Sequence, residues 1–257
     1  LERSPEIMAR IGFEGLEQLE SLAHDLGAES WTTAVSLLET SPAILDRIGM
    51  DGLESIAAVA RAVARENSYG AVSLLEKSPH LLDRLLQHGD RELALRIYGF
   101  AGEAAALNWR LAATLLEESP GLLSRLGASG LERLLKIVPR AAQGNGAVAK
   151  RLLDVSPAVI DRMGMEGMEV LAACAAAIAE KSWQSAVTVV EKSPRLLDRL
   201  DVIGEGASAT ALYGMAATIA RTSPALAAKL LDKSPDYLQL AGLRGLGMIA
   251  AFLEETA

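Results

Sequence analysis

His80 and His88 fall close together in the chain with Asp83, Asp90 and Glu92 between and beside them, and imidazoles with carboxylates are the donor set of a transition-metal site. The spacing argues against one. Eight residues separate the two imidazoles across an expected helix boundary, and no ligand interval peculiar to zinc is present. Cys174 is the only thiol; it shares an apolar helix face with Leu171 and Ile178 and has no histidine near in sequence to activate it, so it reads as a buried structural cysteine. Gly204-x-Gly206 follows no expected strand and lacks the third glycine of a dinucleotide fingerprint, which leaves a turn. The serines of a recurring Ser-Pro pair make poor nucleophiles, because a helix-capping role accounts for all of them. No catalytic, cofactor-binding or metal-ligating residue is assigned, no cofactor is expected, and the chain is read as noncatalytic.

The elements that would position any chemistry repeat. Ser-Pro stands at Ser4, Ser41, Ser78, Ser119, Ser156, Ser193 and Ser234, at intervals of 37, 37, 41, 37, 37 and 41 residues. Two short units and a long one therefore recur with a period of 115 residues. The units are 4–40, 41–77, 78–118, 119–155, 156–192, 193–233 and a truncated 234–257, taken together as a single domain over 1–257. A glycine lies eleven residues after each serine, from Gly15 and Gly52 to Gly245, and is read as a close approach of helices or a torsion that Cβ would obstruct.

Each unit reads as three helical segments. Ser-Pro suits the cap and first position of the first. Asp51-Gly52-Leu53-Glu54 and Ser129-Gly130-Leu131-Glu132 match a capping box for the second. Ser30-Trp31, Ser182-Trp183 and Ser223-Pro224 open the third. Apolar residues recur at helical spacing, as at Leu53, Ile56, Ala60 and Val63, and strands are not expected. The four extra residues of the long units are placed near Gly99–Ala106 and Ser208–Met215, as turns or recognition sites. An arginine six residues after the serine, at Arg10, Arg47, Arg84, Arg125, Arg162 and Arg199, is expected to meet the acid that precedes each following Ser-Pro: Glu39, Glu76, Glu117, Asp154, Glu191 or Asp232. Trp31, Trp109 and Trp183 share one repeat position and are expected in the core, the other reading being an exposed series that recognises peptides or single-stranded nucleic acid.

A 37-residue unit cannot bury its own apolar faces, whereas stacked units share one elongated core. The period and helix pattern resemble HEAT and armadillo repeats, and this resemblance implies an all-α, right-handed α-solenoid of about six units of 37–41 residues plus the truncated one. A formal charge of −8 without a Lys/Arg run disfavours a general phosphate-backbone binder. The stretch Val170 to Ile178 is too short to span a membrane, and no signal-like segment opens the chain, which begins Leu1-Glu2-Arg3 and reads as an excised domain. A lone cysteine suits a reducing, cytoplasmic setting. The function expected is a noncatalytic scaffold or recruitment module with a protein or peptide partner, nucleic acid being the less favoured partner. Two alternatives accompany it: a HEAT-like DNA-lesion enzyme or nucleic-acid-binding protein, and a regulatory helical domain of a larger bacterial protein, the latter from a likeness of the Trp and Ser-Pro units to metal-chelatase-associated or von Willebrand A-domain systems.

Overall fold

The computed structural model describes residues 4–142 and 145–256, with side chains described over 11–142 and 145–254. The described residues are helical with no strand: α1 Ser4–Glu29, α2 Trp31–Ala64, α3 Ser68–Leu86, α4 Arg91–Ala105, α5 Trp109–Ala142, α6 Gly146–Ala179, α7 Trp183–Val202, α8 Ala209–Ala220 and α9 Pro224–Thr256. They form two compact units, Leu1–Glu132 and Arg133–Ala257. In the first, α2 packs against α1, α3 and α4; in the second, α6 packs against α7 and α8, and α9 against α7 and α8. This all-helical packing of sequence neighbours is compatible with a helical repeat architecture.

The unit holds two helical arms, not three segments. Ser41-Pro42 starts no helix, because α2 runs through it without a break, and the same holds at Ser78, Ser119, Ser156, Ser193 and Ser234. All six serines are fully buried. The physical reason lies in the proline, which deprives the carbonyl four residues back of its N–H. Ser41 Oγ donates to the Leu38 carbonyl at 3.0 Å, the group orphaned by Pro42, and Ser156 and Ser234 serve Leu153 and Leu231 in the same way. Ser78, Ser119 and Ser193 donate one carbonyl further back, to Leu74, Leu115 and Val189. Helices do start where the third segment was placed: the side chains of Ser30, Asn67, Asn108, Asn145, Ser182 and Ser223 each accept from a backbone N–H of the following turn.

The long helices bend at a different glycine from the one that recurs in every unit. Gly12, Gly49, Gly127, Gly164 and Gly242, eight residues after their serines, have φ between 64° and 71° with extended ψ, a region almost closed to other residues. In the two long units that position is Leu86 or Asp201, and the bend becomes an open elbow, residues 87–90 between α3 and α4 and 203–208 between α7 and α8. The extra residues therefore sit in these elbows, not near Gly99–Ala106 or Ser208–Met215. Gly89 and Gly204 fall inside the elbows as well, so they are not counterparts of Gly52, and the seven-fold glycine match overstates the register. Gly15, Gly52, Gly167 and Gly245 are helical and sit one turn past the residue before the bend; a Cβ on Gly52 would lie 2.7 Å from Ile48 Cβ. Close approach, not torsion, selects those. Neither expected capping box forms as such, since Glu132 is drawn to Arg96 of α4 and Asp51 faces Arg91 at 3.5 Å.

Two pairs of variants separate these causes. Ser41→Ala leaves the Leu38 carbonyl without a donor and is expected to cost about 1 to 3 kcal/mol in chemical denaturation. The cost should shrink when Pro42→Ala is also made, because an N–H returns to that carbonyl; an equal cost in both backgrounds rules out the orphan-carbonyl role. Gly164→Ala meets open space and tests torsion alone, whereas Gly167→Ala keeps a helical torsion and places Cβ 2.2 Å from Met163 Cβ. Each should destabilise by about 1 to 3 kcal/mol, and an unchanged midpoint for either removes its assigned cause.

Candidate functional site

The residues with potential chemistry are held apart or already engaged. His80, His88, Asp83, Asp90 and Glu92 are all exposed. Asp83 is taken by Arg47, Asp90 caps α4 through the Leu93 N–H at 2.7 Å, and Glu92 pairs with Arg96 at 2.8 Å. Among the described residues no three His, Cys, Asp or Glu side chains gather as a metal group. Cys174 is fully buried, and desolvation pushes its thiol up to about 12, so it stays protonated at neutral pH. Tyr98 and Tyr213, 115 residues apart, are likewise fully buried, and desolvation raises both phenols well above their ordinary range. Their hydroxyls face Ser78 and Ser193 without reaching ordinary hydrogen-bond geometry.

The arginine ladder exists with a different partner. Arg47 grips Asp83 with Nε and Nη2, at 2.6 and 2.8 Å, and Arg162 pairs with Asp198, so the acid lies in the next unit, 36 residues on, and not just before the next Ser-Pro. Arg199 reaches Asp236, also in the next unit, and the Asp232 backbone carbonyl. In the unit after Arg84, Ser124 stands where that acid would be. The Arg10 side chain lies outside the described residues. The expected acids serve other cations instead: Lys77 donates to Glu117 at 2.7 Å, and Arg151 lies 3.5 Å from Glu191. A second ladder joins the other arms, with Arg61 to Asp25, Arg65 to Glu29, Arg96 to Glu132 and Arg133 to Glu169. These ladders are architecture, and they hold Arg47, Arg61, Arg65, Arg96, Arg133, Arg162 and Arg199 in structural pairs.

The tryptophans are not core residues. Trp31 is 75% exposed and Trp183 45%, while Trp109 is half-buried against Gly70 with Arg110 over its ring at 5.3 Å. Tyr69, one position further along α3, is 88% exposed. Trp31 and Tyr69 precede the first buried positions of their helices, Thr33 and Ala71, and helical spacing to later apolar residues does not reveal that. In the first unit, large apolar side chains thus crown the starts of α2 and α3 while the buried stripes begin at Ala34 and Ala71.

The grooves form a second candidate surface, and they come as a matched pair. In the first unit α3 and α5 enclose about 180 Å³, lined by Leu74, Lys77, Leu116 and Glu117 among others. In the second, α7 and α9 enclose about 270 Å³, and Val189, Lys192, Leu231 and Asp232 occupy the corresponding places, each 115 residues on. Sequence period carried this correspondence, but nothing in the sequence shows that the space between those helices is open.

No helix among the described residues is long and apolar enough to cross a membrane. No protein-family model, curated protein or solved structure matches this chain.

The Arg47–Asp83 pair gives a direct test of the ladder. The hydrogen bond from Arg47 holds the Asp83 carboxyl below its ordinary value; partial desolvation opposes this, and the charges of Arg47 and His80 add to it. Asp83 binds its proton less readily folded than unfolded, so its stabilising contribution is present above the unfolded value, about 3.9, and is lost as pH falls through the lower folded one. Carbon-detected NMR titration should find Asp83 below the free-carboxyl range, and Arg47→Met should return it to that range. An Asp83 that titrates identically in both proteins contradicts the pairing.

Proposed function

We propose that this chain is a noncatalytic recruitment module that binds a protein or peptide, built as a right-handed α-solenoid of the HEAT and armadillo kind. The observation that carries the reading is the solvent placement of Trp31 and Tyr69 at neighbouring helix starts in the Leu1–Glu132 unit. Tryptophan and tyrosine are the side chains most enriched where proteins meet, since each offers a rigid apolar surface with a polar edge at small entropic cost. The first buried positions of α2 and α3, Thr33 and Ala71, lie two residues further on, so both rings stand outside the core. The charges that flank them in the chain are mixed: Glu29, which pairs with Arg65, and Glu66. A phosphate backbone finds no continuous cationic track there, which ranks peptide above single-stranded nucleic acid.

Random-peptide display on the intact chain, with the enriched sequences measured by fluorescence anisotropy, tests this. Enriched peptides should bind the wild-type chain and lose about tenfold in affinity when Trp31→Ser and Tyr69→Ser are combined, with helical circular dichroism unchanged. Selection that never rises above blank support defeats the recruitment reading.

A further inference from the structure

The groove between α7 and α9 has a cationic wall over an apolar floor. Lys192, Arg195 and Arg199 follow one another on one face of α7, and Val189, Leu196 and Leu231 lie beneath. In a chain of charge −8 this is a local reversal. Arg199 is engaged by Asp236 and the Asp232 carbonyl. Lys192 and Arg195 are exposed and form no ion pair among the described residues.

The counterpart groove in the first unit shows what fills such a space. There Lys77 is neutralised by the Glu117 carboxylate, and the Trp109 ring packs against Gly70 at the groove's end. In the second unit both internal occupants are missing. Asp232 replaces Glu117 with one methylene less and does not reach Lys192, and Pro224 replaces the tryptophan. The larger volume, about 270 Å³ against 180 Å³, follows. A ligand suited to the open groove must bring what the closed one holds, a carboxylate beside an apolar side chain.

We infer that the α7–α9 groove binds an acidic peptide segment, whose carboxylates pair with Lys192 and Arg195 while an adjacent apolar side chain enters over Val189 and Leu231. This rests on the recruitment reading and names the chemistry of one partner. Carboxylate pairing with two exposed cations adds specificity and association rate, and the apolar insertion adds the desolvated area.

The probes are two fluorescein-labelled degenerate peptide libraries of the same pattern, one of Glu and Leu and one of Lys and Leu, measured by anisotropy on the intact chain. The Glu/Leu library should bind more tightly than the Lys/Leu library, and should weaken about tenfold with Lys192→Gln and Arg195→Gln combined. Asp232→Glu with Pro224→Trp rebuilds the occupants of the first groove and should weaken binding similarly without lowering the melting temperature. Equal binding of the two libraries, or acidic binding that survives both double variants, overturns the assignment. If acidic binding vanishes only with Trp31→Ser and Tyr69→Ser, recruitment stands and the groove does not. Displacement of the acidic library from this groove by equimolar oligodeoxythymidylate would transfer the site to nucleic acid and also overturn it.

Discussion

Backbone direction at one residue governs the rest of this structure. Eight residues after the Ser-Pro serine the chain must turn sharply between two helical arms, and a glycine with φ near +65° does this without any loop. The bend brings the first residues of the second arm against the last of the first, which is why Gly52 and Gly167 must lack a Cβ beside Ile48 and Met163. Where the bend glycine is absent the chain spends additional residues on an elbow, and the 41-residue spacing is the sequence record of that substitution. One torsional demand thus accounts for two glycine positions and for the alternation of unit length.

The Ser-Pro pair solves a different problem in the same arm. A proline inside a continuous buried helix leaves a carbonyl with no donor, and a buried orphan acceptor is costly. The serine immediately before it donates from its side chain back along the helix, to that carbonyl at Ser41, Ser156 and Ser234 and to the one before it at Ser78, Ser119 and Ser193. Propensity reasoning places Ser-Pro at a helix start because both residues favour that position in isolation. The burial of all six described serines shows the tertiary context overriding it.

Much of the local organisation was nevertheless legible. The all-helical character, the caps at Ser30, Ser182 and Ser223, the buried thiol and the pairing of repeated arginines with carboxylates all follow from residue type and period. The arginine partner differs from the expected one because the acid just before the next Ser-Pro and the acid five residues after that serine both recur at nearly the same interval. Only geometry distinguishes Asp83 from Glu39 or Glu76 as the partner of Arg47. The tryptophans failed for a related reason: periodicity locates a stripe along a helix but does not mark where that helix passes the end of its neighbour.

The duplicated block gives the functional argument its internal control. Lys77 and Tyr98 persist across the 115-residue period as Lys192 and Tyr213, whereas Glu117 and Trp109, which close the first groove, do not persist in the second. Loss of stability alone would be the expected consequence of opening a packed groove, since cavity and unpaired charge both cost free energy. Lys192 avoids that cost by remaining exposed to water, and the apolar floor stays lined by Val189 and Leu231. An open groove whose charge is solvated and whose floor is apolar is cheap to maintain empty, and it gains most from a ligand that restores the missing carboxylate and the missing apolar surface together.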